Sequence, residues 1–262
     1  MIANIISSSG QLVFRMIHYM GELTILLWQT LYWIFVPPLK TQRILSQAKR
    51  AGPGSFFISS LVAFFIGMIM ALQMAYQMVA FKAEIYIPNV VALSLTRELA
   101  PVLTALIVAG RIGAGITAEI GSMTVTEQVD ALQAFAVSPV KYLVVPRFLS
   151  LVMMLPILTV FADLVGIMGG FVICVFKLYM NPSLYFTMVA QALKMSDIMT
   201  GLVKTIFFGA IIAIVGCHRG FNAKGGAEGV GRATTLSVVI SFILIIMADC
   251  FFTTIFYFIF KM

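Results

Sequence analysis

The sequence predicts an all-α integral membrane fold: an interfacial helix at the N-terminus, five membrane-spanning helices, and a short cytoplasmic helix between the second and third spans. Three observations lead there. The chain of 262 residues is 61% hydrophobic and only 10% charged, where soluble globular domains carry about 25% charge. Its mean hydropathy is +1.05. Apolar runs long enough for a hydrocarbon core about 30 Å thick recur five times. The formal charge of +7 is scattered between these runs instead of forming a stripe, so an anionic membrane surface accounts for it better than nucleic acid does. Cys174, Cys217 and Cys250 lie far apart in or beside apolar runs, with neither the spacing of a metal site nor that of a disulfide framework.

Taken in order, residues 1–54 form an N-terminal amphipathic region and 55–262 the membrane domain. The run Leu23 to Val36 is too short to span and holds both tryptophans, Trp28 and Trp33. Tryptophan favours the headgroup level, so this segment reads as a helix lying on the bilayer. No small-residue cleavage site precedes Pro37-Pro38, which argues against a signal peptide. Lys40, Arg43, Lys49 and Arg50 follow without an acid, and Gly52, Pro53 and Gly54 punctuate entry into the membrane. The spans are then Phe56 to Phe81, Ile87 to Ile112, Tyr142 to Phe176, Ile198 to Cys217 and Ala233 to Phe260.

Basic residues set the orientation. With residue 1 inside, Arg15, Lys40, Arg43, Lys49, Arg50, Arg111, Lys141, Arg147, Arg219, Lys224 and Arg232 fall inside, against Lys82, Lys177, Lys194 and Lys261 outside. The N-terminus and the stretch Glu119 to Asp130 are therefore expected to face the cytoplasm. Five spans do not divide into two equal inverted halves, which counts against the common secondary-transporter plan.

Between the second and third spans, Thr124-x-x-Glu127 has the spacing of a capping box. The helix it would open, over about 122–136, puts Val125, Val129, Leu132 and Ala136 on one face and Glu127 and Asp130 on another. Ser138-Pro139 suits the N-cap and first turn of the next helix. Gly166-x-x-x-Gly170 and Gly216-x-x-x-Gly220 have the spacing of close helix contacts.

Five ionisable residues sit at membrane depth: Arg97, Glu98, Asp163, Lys204 and Asp249. Each costs about 2.5–3.5 kcal/mol on insertion scales if it faces lipid, so each needs a partner or a cavity. Arg97 and Glu98 are adjacent and point about 100° apart on a helix, which leaves them without each other. One reading has Arg97 and Lys204 approaching a cavity that holds an anionic headgroup, positioned by Glu98. The other has structural ion pairs, Lys204 with Glu98 or Asp249. Met70, Met74 and Met78 recur every four residues as a stripe that leads to Phe81; methionine adapts to irregular partners such as acyl chains, and equally to ordinary packing. His18 and His218 have no partners at ligand spacing, so no metal site is expected.

No P-loop is present, because no lysine follows a glycine. Gly113-x-Gly115-x-x-Ala118 follows an apolar helix instead of a strand, which rules against a dinucleotide site.

The run ALSLTRELAPVLTALIVAGRIGAGIT followed by AEIGSMTVTEQVDALQAFAVSP, residues 92 to 139, closely resembles the MlaE/YrbE permease family of ATP-binding-cassette lipid transporters. GVGRATTLSVV, Gly229 to Val239, resembles the family's cytoplasmic entry to its last span. The resemblance covers about residues 55 to 262. It implies that the short cytoplasmic helix is a coupling helix docking on a separate ATPase, and it assigns Glu119, Gly121, Glu127, Gln128 and Asp130 to that region. It implies a permease homodimer, two ATPase subunits that bind ATP and magnesium, an MCE-domain periplasmic protein and, in addition, a STAS-domain protein. The expected cargo is glycerophospholipid, moved between the inner membrane and a periplasmic path to the outer membrane. This chain would need no cofactor and perform no bond chemistry. The rival expectation is an ion-coupled carrier with Glu98, Asp163 and Asp249 as proton sites; a purely structural scaffold would leave the five intramembrane charges unused.

Overall fold

A computed structural model describes residues 2–38 and 40–260. Met1, Leu39, Met262 and Lys261, the last counted above on the outer side, lie outside the described residues. Among those described, every regular element is helical, and five helical segments are long and apolar enough to cross a membrane.

The first helix, α1, spans Ile2–Ile34 and so begins well before the expected Leu23. No proline interrupts the earlier run. It ends because Pro37 and Pro38 cannot donate to a helix and disfavour helical geometry in the residue before them. Leu23 and Leu26 are buried. Contacts from Tyr19 on His218 to Trp33 beside Lys141 carry α1 across one end of the bundle, as an interfacial helix requires.

Helix α2, Thr41–Met78, runs straight through Gly52-Pro53-Gly54, where punctuation was expected. Pro53 forfeits one backbone bond, but Ala51, Gly52 and Ser55 are buried against the bundle, and packing overrides the local preference. Gly54 has a function of its own: a Cβ there would lie 2.8 Å from the Arg111 guanidinium carbon. The expected division at 54/55 falls inside this one continuous helix.

The second span is composite. Helix α3 (Ile87–Ser94) passes through a π-turn at Leu95–Leu99 into α4 (Ala100–Val108), then through a second π-turn at Ala109–Gly113 into α5 (Ala114–Val125). It therefore reaches Val125, beyond the expected Ile112. Helix α6 (Gln128–Ala134) follows at once. A third π-turn, Val140–Val144, opens into α7 (Val145–Phe176), with Ser138 Oγ accepting from Lys141 N at 3.4 Å as an N-cap.

Helix α8, Pro182–Ala192, is an element the hydropathy pattern does not reveal. Asn181 caps it, accepting from Ser183 N at 2.9 Å. Tyr185, fully buried, donates to the Ile167 carbonyl at 2.8 Å and ties α8 to α7. Burial raises the Tyr185 phenol above its ordinary pKa. Helices α9 (Met195–Phe221) and α10 (Gly226–Phe260) complete the chain.

The bundle is organised by backbone proximity. A Cβ on Gly67 of α2 would land on the Gly166 carbonyl oxygen of α7, and one on Gly169 would land on that of Phe64. On the other side, a Cβ on Gly220 of α9 would lie 2.7 Å from Ile120 Cβ of α5. Both glycine pairs singled out in the sequence thus sit at helix crossings. Around them lie one apolar core centred on Val108, Leu151, Leu155, Phe208 and Ile212, and a second on Ala71, Ile87, Val91, Leu95 and Tyr185. Helix α10 stands apart: 11% of its most apolar stretch is buried, against 50% in α9.

Candidate functional site

Two groups of residues stand out, one at the α6 end of the bundle and one at membrane depth. At the α6 end, the expected capping box does not form. Thr124 lies in the last turn of α5, and its hydroxyl donates to the Ile120 carbonyl at 2.9 Å. Glu127 is the N-cap of α6 but contributes no side-chain bond; its backbone is left-handed, with φ of 59°. The packing of α5 on α9 prolongs α5 past the expected cap. The remaining helix, Gln128–Ala134, is half the expected length.

One buried side chain seats this short helix. Val129 is buried, while Glu127, Gln128 and Asp130 face outward, with Phe135 79% exposed beside them. Gly121 is buried where a Cβ would meet Ala223 Cβ at 3.2 Å and Val230 at 3.3 Å. Glu119 faces inward to two arginines: Arg147 Nη2 at 2.9 Å and Arg50 Nη1 at 3.4 Å. Arg147 is itself buried and donates from Nη1 to the Leu143 carbonyl of the third π-turn. One carboxylate on α5 therefore joins α2 and α7 immediately before α6. Of the five residues expected at a coupling surface, three are presented and two hold the presenting frame.

At membrane depth the charges resolve into pairs, except Asp163, which is buried with its Oδ1 unpartnered among the described residues. Arg97 donates from Nε and Nη2 to Asp197 Oδ1, the former at 2.9 Å. Asp197 is buried in the first turn of α9, where its Oδ2 also accepts from Lys194 N at 2.9 Å. Lys204 is buried, with Nζ 2.6 Å from Glu98 Oε2, 2.9 Å from Asp249 Oδ1 and 2.7 Å from Thr253 Oγ1. Its fourth neighbour is the Arg97 carbonyl at 3.2 Å. That carbonyl is available for a physical reason: Pro101, four residues on, has no N–H to offer it. The π-turn also brings the Thr96 carbonyl onto Gly201 of α9, where no Cβ could fit. π-turns of this kind often mark functional positions in helices.

The structural ion pairs weighed from the sequence are thus formed. Lys204 has three N–H groups and its neighbours engage all of them. Arg97 has five; two point at Asp197, and the side chain is 35% exposed. A cavity of about 80 Å³ opens beside it, lined by Arg97, Glu98, Thr200, Lys204, Thr253 and Tyr257. The methionine stripe lies elsewhere. Met70, Met74 and Met78 are half-buried and pack on the second core, while Phe81 is 81% exposed.

Comparison with known proteins places this geometry. A family model described as Permease MlaE matches residues 44–255. The chain belongs to the MlaE permease family. A probable ABC transporter permease protein of Rickettsia bellii is 42% identical over 257 residues, covering 98% of this chain and 99% of its own. One from Synechocystis sp. is 43% identical over 213 residues, 81% of each chain. One from Pyropia yezoensis is 40% identical over 212 residues, 80% of each. The family match takes in α2 to α10 up to residue 255, and with them both groups of residues.

In this MlaE-family chain, sequence reasoning missed Asp197, Thr253, Arg50 and Arg147 as parts of the two groups. A signal for Asp197 was available: an unpaired intramembrane Arg97 demands an acid, and Asp197 stands at the start of the fourth span. Arg50 and Arg147 left no such signal, because as basic residues at span ends they satisfy the orientation rule without any partner.

Proposed function

We propose that this chain is the membrane-spanning permease subunit of an ABC transporter, working in the inner membrane of a bacterium with an outer membrane, N-terminus in the cytoplasm. It acts as a homodimer with two ATPase subunits, which bind ATP and magnesium, and with an MCE-domain protein on the periplasmic side; a STAS-domain protein can join the ATPase. The cargo is glycerophospholipid moving between the inner membrane and the periplasmic path to the outer membrane. The permease contributes motion and a headgroup site, not bond chemistry.

The observation that carries this reading is α6: a short helix with Glu127, Gln128 and Asp130 outward, anchored through Glu119 to three spans. Such a unit transmits a push from an ATPase without folding around it. At membrane depth, Arg97 is the headgroup contact, since it is the lining cation that keeps spare donors beside the cavity. Lys204 and Glu98 hold the π-turn that presents it, and Met70, Met74, Met78 and Phe81 form the flank along which acyl chains pass.

Copurification tests the reading. Glu127→Lys and Asp130→Lys should each release the ATPase from a folded permease. Glu127→Gly separates charge from backbone, because glycine adopts φ of 59° without strain: it should preserve α6 and still weaken the association. ATPase retention by all three variants would remove α6 as the contact. The ion-coupled carrier rests on Asp163, buried with its Oδ1 unpartnered among the described residues. Glu98 and Asp249 are engaged by Lys204. The carrier reading predicts transport that follows a proton gradient without the ATPase.

A further inference from the structure

A cavity of about 680 Å³ belongs to neither group above. It lies where four pieces of chain meet: Trp33 at the end of α1, Pro38 and Lys40 before α2, Arg43 and Ile44 in its first turn, and the segment from Gln133 through Pro146 that links α6 to α7. Its lining contains three cations, Lys40, Arg43 and Lys141, and no carboxylate. None of the three has an acidic partner among the described residues. Their contacts are with apolar or neutral groups: the Arg43 guanidinium carbon sits 3.6 Å from the Tyr142 ring centre, Lys141 Nζ 5.2 Å from that of Trp33, and the same Nζ 3.3 Å from the Pro37 carbonyl.

A concave site with uncompensated cations is complementary to an anion. Its apolar floor, made by Ile44, Val145 and Pro146, is complementary to hydrocarbon. The two together match one ligand chemistry, a phosphate group continuous with acyl chains. The position agrees. Exposed Trp28 and Tyr32 on α1 form the aromatic belt expected at a headgroup level, and both α2 and the third span begin beside the cavity.

We propose that this cavity binds an anionic phospholipid of the leaflet on the α6 side of the membrane, its phosphate held by Lys40, Arg43 and Lys141. The site is separate from the transport cavity at Arg97. A bound lipid bridges the start of α2 to the α6–α7 link, so it stiffens the segment that presents Glu127 and Asp130.

Trp33 offers a direct test, because the chain has only two tryptophans. The full chain carrying Trp28→Phe is reconstituted in phosphatidylcholine vesicles containing either brominated phosphatidylglycerol or brominated phosphatidylcholine, and quenching of Trp33 is titrated. A surface cation contributes about 1 kcal/mol toward anionic lipid, equivalent to roughly fivefold in affinity. With three such cations, phosphatidylglycerol should quench at a mole fraction up to roughly 100-fold lower than phosphatidylcholine. Lys40→Gln, at an exposed position, should cut the preference by roughly fivefold, and adding Arg43→Gln and Lys141→Gln to it should abolish it. Arg43→Lys with Lys141→Arg should keep it, which separates charge from misfolding. Equal quenching by the two lipids, or a preference that survives all three neutralisations, overturns the proposal. Loss of the preference on adding millimolar inorganic phosphate overturns the lipid assignment in favour of a free-phosphate site. Neutral variants that shed a copurifying protein while keeping the lipid preference identify a protein-docking surface instead.

Discussion

Replacing Lys204 by methionine isolates what the buried ammonium contributes. The side chain is 2% exposed and sits within 3 Å of both Glu98 and Asp249, so its removal leaves two carboxylates facing each other across a low-dielectric gap. Breaking a buried pair from one side costs about 3–5 kcal/mol. Glu98 is 40% exposed and Asp249 20%, which places the cost near the lower end, about 3 kcal/mol. For a domain of this size each kcal/mol moves the midpoint by about 2–4 °C, so Lys204→Met should unfold roughly 6–12 °C below the parent in a detergent thermal-shift assay. Adding Glu98→Gln and Asp249→Asn to Lys204→Met removes the stranded charges and should recover most of that loss. Arg97→Gln should lose copurifying lipid, with little change in midpoint beyond that of its Asp197 pair. The reasoning fails if Lys204→Met melts within 2 °C of the parent (an assay tolerance of about 1 kcal/mol), or if neutralising both acids gives no recovery.

Two further outcomes test the packing. Gly67→Ala would drive a methyl into the Gly166 carbonyl, and since backbone cannot yield, a loss of about 3 kcal/mol is expected. Gly115→Ala meets nothing within 4 Å and should raise the melting temperature through a helix-propensity gain of up to ~1 kcal/mol; the two measured side by side distinguish crowding from propensity. Glu22→Gln weakens the link from α1 to His218, now 3.0 Å, and to His18, now 3.2 Å. This pair is partly exposed, so at most about 1 kcal/mol is expected. It should appear as several-fold faster hydrogen exchange around Tyr19 to Leu27, with α9 unchanged.

What the sequence revealed follows from which forces act locally. The five spans and the glycine crossings were legible because hydropathy and small-residue spacing depend on the segment itself. The limits of α1 and the continuity of α2 through Pro53 were not, because burial of Leu23, Leu26, Ala51 and Gly52 against other helices decides them. The reading of Thr124 as an N-cap failed similarly: its local signal was sound, but Ile116, Ile120 and Gly121 packing on α9 and α10 carries the helix past it. The π-turn at Leu95–Leu99 was half legible, since Pro101 announces a missing donor four residues back, yet only the fold supplies Lys204 as the substitute. Helix α8 escaped notice because eleven residues of mixed polarity resemble a loop until Tyr185 is seen buried.

The contact of α2 with α7 carries a mechanical consequence. At Gly67 and Gly169 a carbonyl of one helix sits in a notch that only glycine can provide, and the residues flanking Gly67, Ile66 and Met68, both bear side chains. Sliding α2 by one residue would replace the Gly67 notch with a side chain and collide with the Gly166 carbonyl. The two behave like a keyed shaft: axial slip is blocked, and any displacement imposed at the Arg50–Glu119–Arg147 junction must carry both together. Relative motion falls first to α10, the span least covered by the rest of the chain among the described residues.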